Sequence, residues 1–206
     1  MTRMVKNVVF DLGRVIYTFW PREDLINLGY NDQQADRLMA CVFDGPLWRE
    51  LDRGTFTYPA LVQKLSADFP DMAEDFRRIL DDKWPDRVIN IMPDSLDFFY
   101  EVKRRGFGVY ILTNFPEDGF AYCRARDAFF DDADGIIVSA HEKLIKPDPA
   151  IFKCLLDRYK LVPGETLFID DMSYNVAAAK ALGMYGIQFT GLKDCKRQFE
   201  EIVGCG

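Results

Sequence analysis

Short apolar runs that stop abruptly on a polar residue recur along this chain, and they constrain its fold more than any other feature. Val5 to Phe10 is rich in β-branched residues and ends at Asp11, with Gly13 following as a turn signal. Val109 to Leu112 ends at Thr113 and Asn114, and Ile136 to Val138 is a third short run. Thr166 to Ile169 stops at Asp170, and a last run lies near Ile187 to Phe189. Near-continuous apolar runs suit strands buried on both faces, as in a parallel sheet. Between them, apolar residues recur at helical spacing. Leu96, Phe99 and Val102 precede Gly106, and Ile151, Phe152, Leu155, Leu156 and Tyr159 follow Pro147 and Pro149. An Ala-rich stretch, Ala177 to Ala181, precedes Gly183, and Leu192, Cys195, Phe199 and Ile202 mark a closing helix. Strands alternating with helices predict an α/β fold: a doubly wound parallel sheet with helices on both faces.

Between Tyr17 and Ile89 the texture changes. Leu38, Val42, Leu61, Val62, Leu65, Phe76 and Ile79 fall at largely helical spacings, and no convincing strand interrupts them. A helical lobe at 17–89, inserted after the first strand, is therefore expected, with Pro93 marking the return into a main domain made of 1–16 and 90–206. The chain has 206 residues, long enough for one such domain with its insert.

Charge and cysteine usage narrow the function classes. Lys and Arg number 26 against 33 Asp and Glu, a net charge of −7, which argues against broad nucleic-acid binding because that rests on clustered cations. A small phosphorylated ligand remains compatible, since one metal ion and one Lys can meet its charge locally. Asp11 ends the first apolar run before a signal-peptide core or membrane span can form, so no membrane partner is expected. Cys41, Cys123, Cys154, Cys195 and Cys205 are odd in number and lack a CxxC pair, which predicts a reduced, cytoplasmic protein without a Cys-based metal site. There is no GxGxxG and no P-loop to support a nucleotide cofactor. A monomer or homodimer is expected.

In an open parallel sheet, ligands sit beyond the carboxyl ends of the strands, where strand order reverses. Asp11, Thr113, Asn114 and Asp170 all close strands, Asp171 follows directly, and Lys146 precedes a helix. Two adjacent carboxylates repel unless a cation or solvent separates them, and Mg²⁺ favours such hard oxygen ligands. N-capping of the next helix is an equally good reading of Asp171. Lys146 at a helix N-terminus would favour an anion through both its ammonium and the helix dipole. Asn175 is a candidate to position Asp171 or Lys146, with a polar face of the Ala-rich helix as the competing reading.

Phe-Asp-Leu-Gly at Phe10 to Gly13, Leu-Thr-Asn at Leu112 to Asn114, Lys-Pro-Asp-Pro at Lys146 to Pro149, and Ile-Asp-Asp followed by Asn175 together resemble the four motifs of the haloacid dehalogenase-like hydrolase superfamily. The match spans nearly the whole chain in the right order. The insert resembles the helical cap of the subclass whose cap follows the first motif. The resemblance implies an Mg²⁺-dependent phosphatase acting on a small phosphorylated metabolite, sugar phosphate-like, through an aspartyl-phosphate. It makes Asp11 the nucleophile, with Thr113, Asn114 and Lys146 binding the phosphoryl group. Asp11, the Gly13 carbonyl, Asp170 and Asp171 would hold the metal. Arg14, Trp20, Trp48, Arg49 and Phe115, with Asp52, are candidates for touching the organic half. For the tryptophans a place in the cap's core is the competing reading, and for Arg49 and Asp52 a helix-surface ion pair.

The pattern departs from the family at Gly13, where most of its phosphatases carry a second Asp as general acid and base. That form, with Val15 and Ile16 after it and Leu51-Asp52-Arg53-Gly54 in the cap, is similar to a subgroup that includes a bacterial glucose-1-phosphate phosphatase. Two alternatives follow from the same departure: a 2-haloacid dehalogenase, whose halide leaves without a proton, or a catalytically weak phosphate-ligand-binding regulatory protein. His141, the one histidine, is a candidate replacement for the missing acid, since its ordinary pKa of ~6.5 suits the task, with a solvated loop His as the competing reading.

Overall fold

The computed structural model describes residues 4–81 and 83–204. Cys205 lies outside them. The first apolar run forms β1 (Asn7–Phe10), and among the described residues the next strand follows only after seven α-helices, with a π-helical turn at Met39–Phe43 and a 3₁₀ turn at Pro70–Met72 between them: α1 (Pro21–Asn27), α2 (Asp32–Leu38), α3 (Pro46–Asp52), α4 (Tyr58–Asp68), α5 (Ala73–Ile79), α6 (Trp84–Val88) and α7 (Pro93–Arg104). Then come β2 (Gly108–Thr113), α8 (Glu117–Arg126), β3 (Gly135–Val138), α9 (Ser139–Glu142), α10 (Pro149–Tyr159), β4 (Thr166–Asp170), α11 (Ser173–Ala181), β5 (Tyr185–Gln188) and α12 (Leu192–Gly204). Prolines open α7 and α10 at their first helical position, where the missing N–H costs nothing. Gly106 and Gly183 follow α7 and α11 at φ values of 81° and 86°, a left-handed conformation that side chains resist.

All strands pair in parallel, in the order β3-β2-β1-β4-β5. The chain therefore builds outward from β1 on one side and returns to continue on the other. That reversal leaves a crevice at the carboxyl ends of β1 and β4. Period-two alternation splits the core into two layers. Val8 and Phe10 face one side with Phe98, Phe99 and Val102 of α7 and Phe199 of α12, while Val9 and Phe168 face the other with Ile151, Phe152 and Leu155 of α10. Edge-to-face ring pairs lock each layer: Phe10 with Phe98 at 6.0 Å, and Phe152 with Phe168 at 5.3 Å.

The helices between β1 and α7 join the sheet through two neighbouring strands of chain. Thr18 N–H donates to Asn90 O and Met92 N–H to Ile16 O, each at 2.8 Å, and Tyr17 forms isolated bridges to Gly13 and Ile91. Among the described residues this stretch contains no strand, and its interior is an aromatic cluster in which Trp48, Trp84, Phe43 and Phe19 pack with centroids 4.7 to 6.4 Å apart. Among the described residues no helix is long and apolar enough to cross a membrane.

Candidate active site

Register decides what reaches the crevice. Phe10 pairs with Ile169, so the next residue of each strand, Asp11 and Asp170, emerges side by side at the carboxyl rim. Asp11, Asp170 and Asp171 lie close enough that one oxygen of each falls within 4.8 Å of the others. Lys146 reaches the same point from the segment before α10. Its ammonium lies 2.6 Å from Asp170 Oδ2 and 2.8 Å from Asp11 Oδ1, and it also donates to Leu112 O at 3.1 Å. Lys146 is 3% exposed and Asp170 is fully buried.

Three carboxylates face the Lys146 ammonium and, at 3.8 Å from Asp171, the Arg14 guanidinium, so carboxylates outnumber cations at a largely buried rim. That is the deficit a divalent cation fills, and the all-oxygen donor set is the kind Mg²⁺ accepts. Burial drives the Asp11 carboxyl well above its ordinary range, Lys146 pulls it back, and the Asp170 and Asp171 charges push it up again. Asp171 is raised by burial and by Asp170, with Arg14 and Lys146 opposing. For Lys146, burial acts to lower the pKa, but the two carboxylates outweigh it and hold the ammonium charged. Thr113 Oγ1, buried at the rim, lacks a hydrogen-bond partner among the described residues, as does Asn175 Oδ1, whereas Asp11 Oδ1 faces the Lys146 ammonium at 2.8 Å. Unsatisfied buried polar atoms are costly and point to an absent partner.

Supporting bonds fix the rim. Asn114 clamps the Lys146 backbone, Oδ1 accepting from its N–H at 2.9 Å and Nδ2 donating to its carbonyl at 3.1 Å. Asn175, buried on α11, donates to both Asp170 oxygens at 3.0 and 3.1 Å, and the Met172 N–H donates to Oδ1 at 2.8 Å.

Several expectations need correction. Lys146 is not at a helix N-terminus: Asp148 caps α10 by accepting from the Ala150 N–H, and the Lys146 side chain turns inward to the carboxylates. Asn175 holds Asp170 rather than Asp171 or Lys146. Asp171 caps nothing, since the N-cap of α11 is Met172 without a side-chain bond; its carboxylate instead lies 3.8 Å from the Arg14 guanidinium. Arg14 also donates to Phe19 O and stacks 4.5 Å from the Trp20 ring. Trp20 is thus 43% exposed beside the rim and not part of the helical interior. Arg49 is exposed and, among the described residues, makes no ion pair with Asp52. His141 lies 3.2 Å from Glu117 and edge-on to Phe120, turned to its own neighbours rather than to the carboxylates. Lys143 donates to Gly54 O at 2.6 Å, tying the helical stretch to the sheet domain.

Trp48 and Phe115 do meet, in a cavity of about 90 Å³ whose other walls include Phe19, Trp84, Gly13 and Asn114. A second, larger cleft of about 450 Å³ opens beside it over Lys146, Asn114, Arg49 and Tyr174. Asp52 lines both. The sequence marks it as a candidate for touching the organic half, but nothing in a helix-end Asp signals which remote residues the fold brings to it.

A doubly wound sheet with acidic residues and a buried Lys at its switch point defines a class of hydrolase. A model of the haloacid dehalogenase-like hydrolase family matches residues 39–183, and the chain belongs to that family. Along its full length it is similar to the sesquiterpene phosphatase astK of Aspergillus oryzae, 28% identical over 210 residues and covering 100% of both chains. It is also similar to the D-ribitol-5-phosphate phosphatase of Bacteroides thetaiotaomicron, 29% identical over 224 residues and covering 97% of this chain and 99% of that one. A HAD family enzyme of Bacteroides thetaiotaomicron, solved in complex with magnesium and inorganic phosphate, shares the fold with a TM-score of 0.72 at 22% identity, over 93% of this chain and 98% of that chain.

Proposed function

We propose that this chain is an Mg²⁺-dependent phosphatase that hydrolyses small phosphate monoesters through an aspartyl-phosphate on Asp11. The observation that carries the reading is the cluster of three carboxylates, Asp11, Asp170 and Asp171, around the buried Lys146 ammonium at the switch point of the sheet. The names of the two full-length relatives support it.

Asp11, Asp170 and Asp171, with the Gly13 carbonyl, would hold the ion, which when bound supplies positive charge to the phosphoryl oxygens. The protein's own groups do the rest. Asp11 presents a carboxylate oxygen to phosphorus as nucleophile. Lys146 opposes the rise that burial imposes on that carboxyl and meets a phosphoryl oxygen, a role its burial and fixed position strengthen. Thr113, whose hydroxyl lacks a partner, donates to another. Asn114 holds Lys146, and Asn175 holds Asp170. Residues 17–89 act as the cap that closes over the site. Trp48 and Phe115 then receive the apolar face of the alcohol half, Arg49 lines the cleft over Lys146, and Arg14, stacked on Trp20, stands beside Asp171.

A dehalogenase has no use for three clustered carboxylates, so the charge pattern favours the phosphatase over that alternative. It favours turnover over a purely regulatory binder as well, because Asp11 is aimed at the same point as the cations. Phosphate release from a panel of small monoesters, with Mg²⁺ and again with EDTA, tests the reading. Release that stops in EDTA and returns with Mg²⁺ is expected; halide release from a 2-haloacid, unaffected by EDTA, overturns it.

A further inference from the structure

An alkyl phosphate cannot lose its alcohol efficiently unless a proton reaches the leaving oxygen, and a group two residues beyond Asp11 is missing here because Gly13 has no side chain. The space is open: a Cβ built at Gly13 meets nothing within 4 Å. The titratable groups around the crevice can be taken in turn. Lys146 and Asp170 are committed to each other, and Asp171 faces Arg14. The phenol of Tyr58 is driven well above its ordinary pKa by burial and then by Asp52, which makes it a poor proton donor. His141 is engaged by Glu117. Asp52 remains.

Its placement is built, not incidental. Asp52 ends α3, and Ser139 Oγ, fully buried at the start of α9, donates to the Asp52 carbonyl at 2.5 Å while accepting from the Phe115 N–H at 2.9 Å. One hydroxyl thus ties the Asp52 backbone to the segment that follows Thr113 and Asn114. Arg53 reaches Lys143 O and Lys143 reaches Gly54 O, so both residues after Asp52 are tied to the sheet domain too. The carboxylate itself has no hydrogen bond or ion pair among the described residues, and Asp52, with Trp48 and Asn114, lines both the aromatic cavity and the cleft over Lys146. A scissile oxygen joins the alcohol half to the phosphoryl half, so it must lie where those two spaces meet.

We propose that Asp52, delivered by the helical insert, is the general acid and base that replaces the side chain absent at Gly13. The inference rests on the phosphatase reading above. In the first step an Asp11 oxygen bonds to phosphorus, the bond from phosphorus to the alcohol oxygen breaks, and the Asp52 proton passes to that oxygen, releasing the alcohol. In the second, the Asp52 carboxylate takes a proton from water. The water oxygen bonds to phosphorus, the acyl-phosphate bond breaks, and inorganic phosphate leaves with Asp11 ionised and Asp52 protonated as at the start. Burial pushes the Asp52 carboxyl up to about 8, with Lys146 opposing and Asp11 adding, so the proton needed for the first step is present at neutral pH. The helical insert then carries part of the chemistry as well as substrate selection.

Asp52→Asn tests this with two substrates in the presence of Mg²⁺. With an alkyl phosphate, turnover should fall by about 10²–10⁴-fold. With p-nitrophenyl phosphate, whose phenolate leaves without a proton, the variant should still release one equivalent of nitrophenolate in a burst. The phosphoenzyme should then accumulate, visible in intact mass as one added HPO₃, because the second step has lost its base. Asp52→Glu should restore part of the alkyl rate. The proposal is overturned if Asp52→Asn hydrolyses the alkyl ester like wild type, or if it loses the burst as completely as the alkyl rate, which marks a merely structural residue. Wild-type enzyme that releases phosphate from no monoester overturns the phosphatase reading itself, before any variant is compared.

Discussion

Replacing Lys146 by Met removes the one ammonium that faces Asp11 and Asp170 and keeps most of the side chain's volume. The pair is deeply buried, with side-chain exposures of 1% for Lys146, 10% for Asp11 and 0% for Asp170, so solvent screens little of the loss. Removing one partner of a buried ion pair costs roughly 3–5 kcal/mol because the other charges stay behind uncompensated. For a chain of this size each kcal/mol moves the midpoint by about 2–4 °C, which sets the expected fall in Tm at roughly 6–20 °C in metal-free buffer. The effect carries a pH signature. Asp11 already sits above its unfolded value through burial, and without Lys146 it rises further. A raised folded pKa means that the folded state binds the proton more tightly, so the variant regains stability as pH falls toward the unfolded value of about 4 and loses it as pH rises through the folded value. Thermal melts by circular dichroism in EDTA, at about pH 8 and about pH 5, should show a large deficit at the first and a smaller one at the second. A variant that melts within about 2 °C of wild type at the higher pH, or with the same deficit at both, refutes the reasoning.

Two further perturbations probe neighbouring parts of the structure. Asp24, with one buried oxygen lacking a partner, is pushed up to about 6 by burial, so wild-type stability falls as pH rises from the unfolded value through that point. Asp24→Asn should raise stability at about pH 8 by ~1 kcal/mol, discounted for its partial exposure, and change nothing at about pH 4, as read from urea midpoints; equal gains at both would contradict it. Asn175→Ala removes both side-chain amide bonds from Asp170, and the Mg²⁺ concentration needed for half-maximal phosphate release should rise about 10–100-fold. An unchanged requirement would show that Asp170 needs no such support.

Strand ends were the legible part of this chain. The run from Val5 to Phe10 and the run from Thr166 to Ile169 announce their own termini, and parallel pairing then sets Asp11 beside Asp170 without further information. Thr113 and Asn114 follow by the same logic from β2. What the sequence hides is direction and long-range closure. Lys146 precedes a helix, which suggested a role with its dipole, yet the ammonium turns back to the carboxylates of β1 and β4, whose charge far exceeds that of a helix end. Asn175 sits on the Ala-rich helix one turn past Asp170, and only the geometry of the strand-to-helix turn selects which carboxylate it meets. Trp20 looked like interior and instead stacks on Arg14 at the rim. Asp52 is legible as a candidate for touching the organic half, but not as a partner of Ser139, 87 residues away, which holds its carbonyl.

The account turns on a covalent bond between Asp11 and phosphorus, and borohydride reports on that bond alone. Wild-type enzyme mixed with Mg²⁺ and p-nitrophenyl phosphate, quenched in acid during turnover and reduced, should yield homoserine at position 11 by peptide mass, and Asp11→Asn should yield none and release no phosphate. Turnover without homoserine at that position, or a reduced residue elsewhere in the chain, contradicts it.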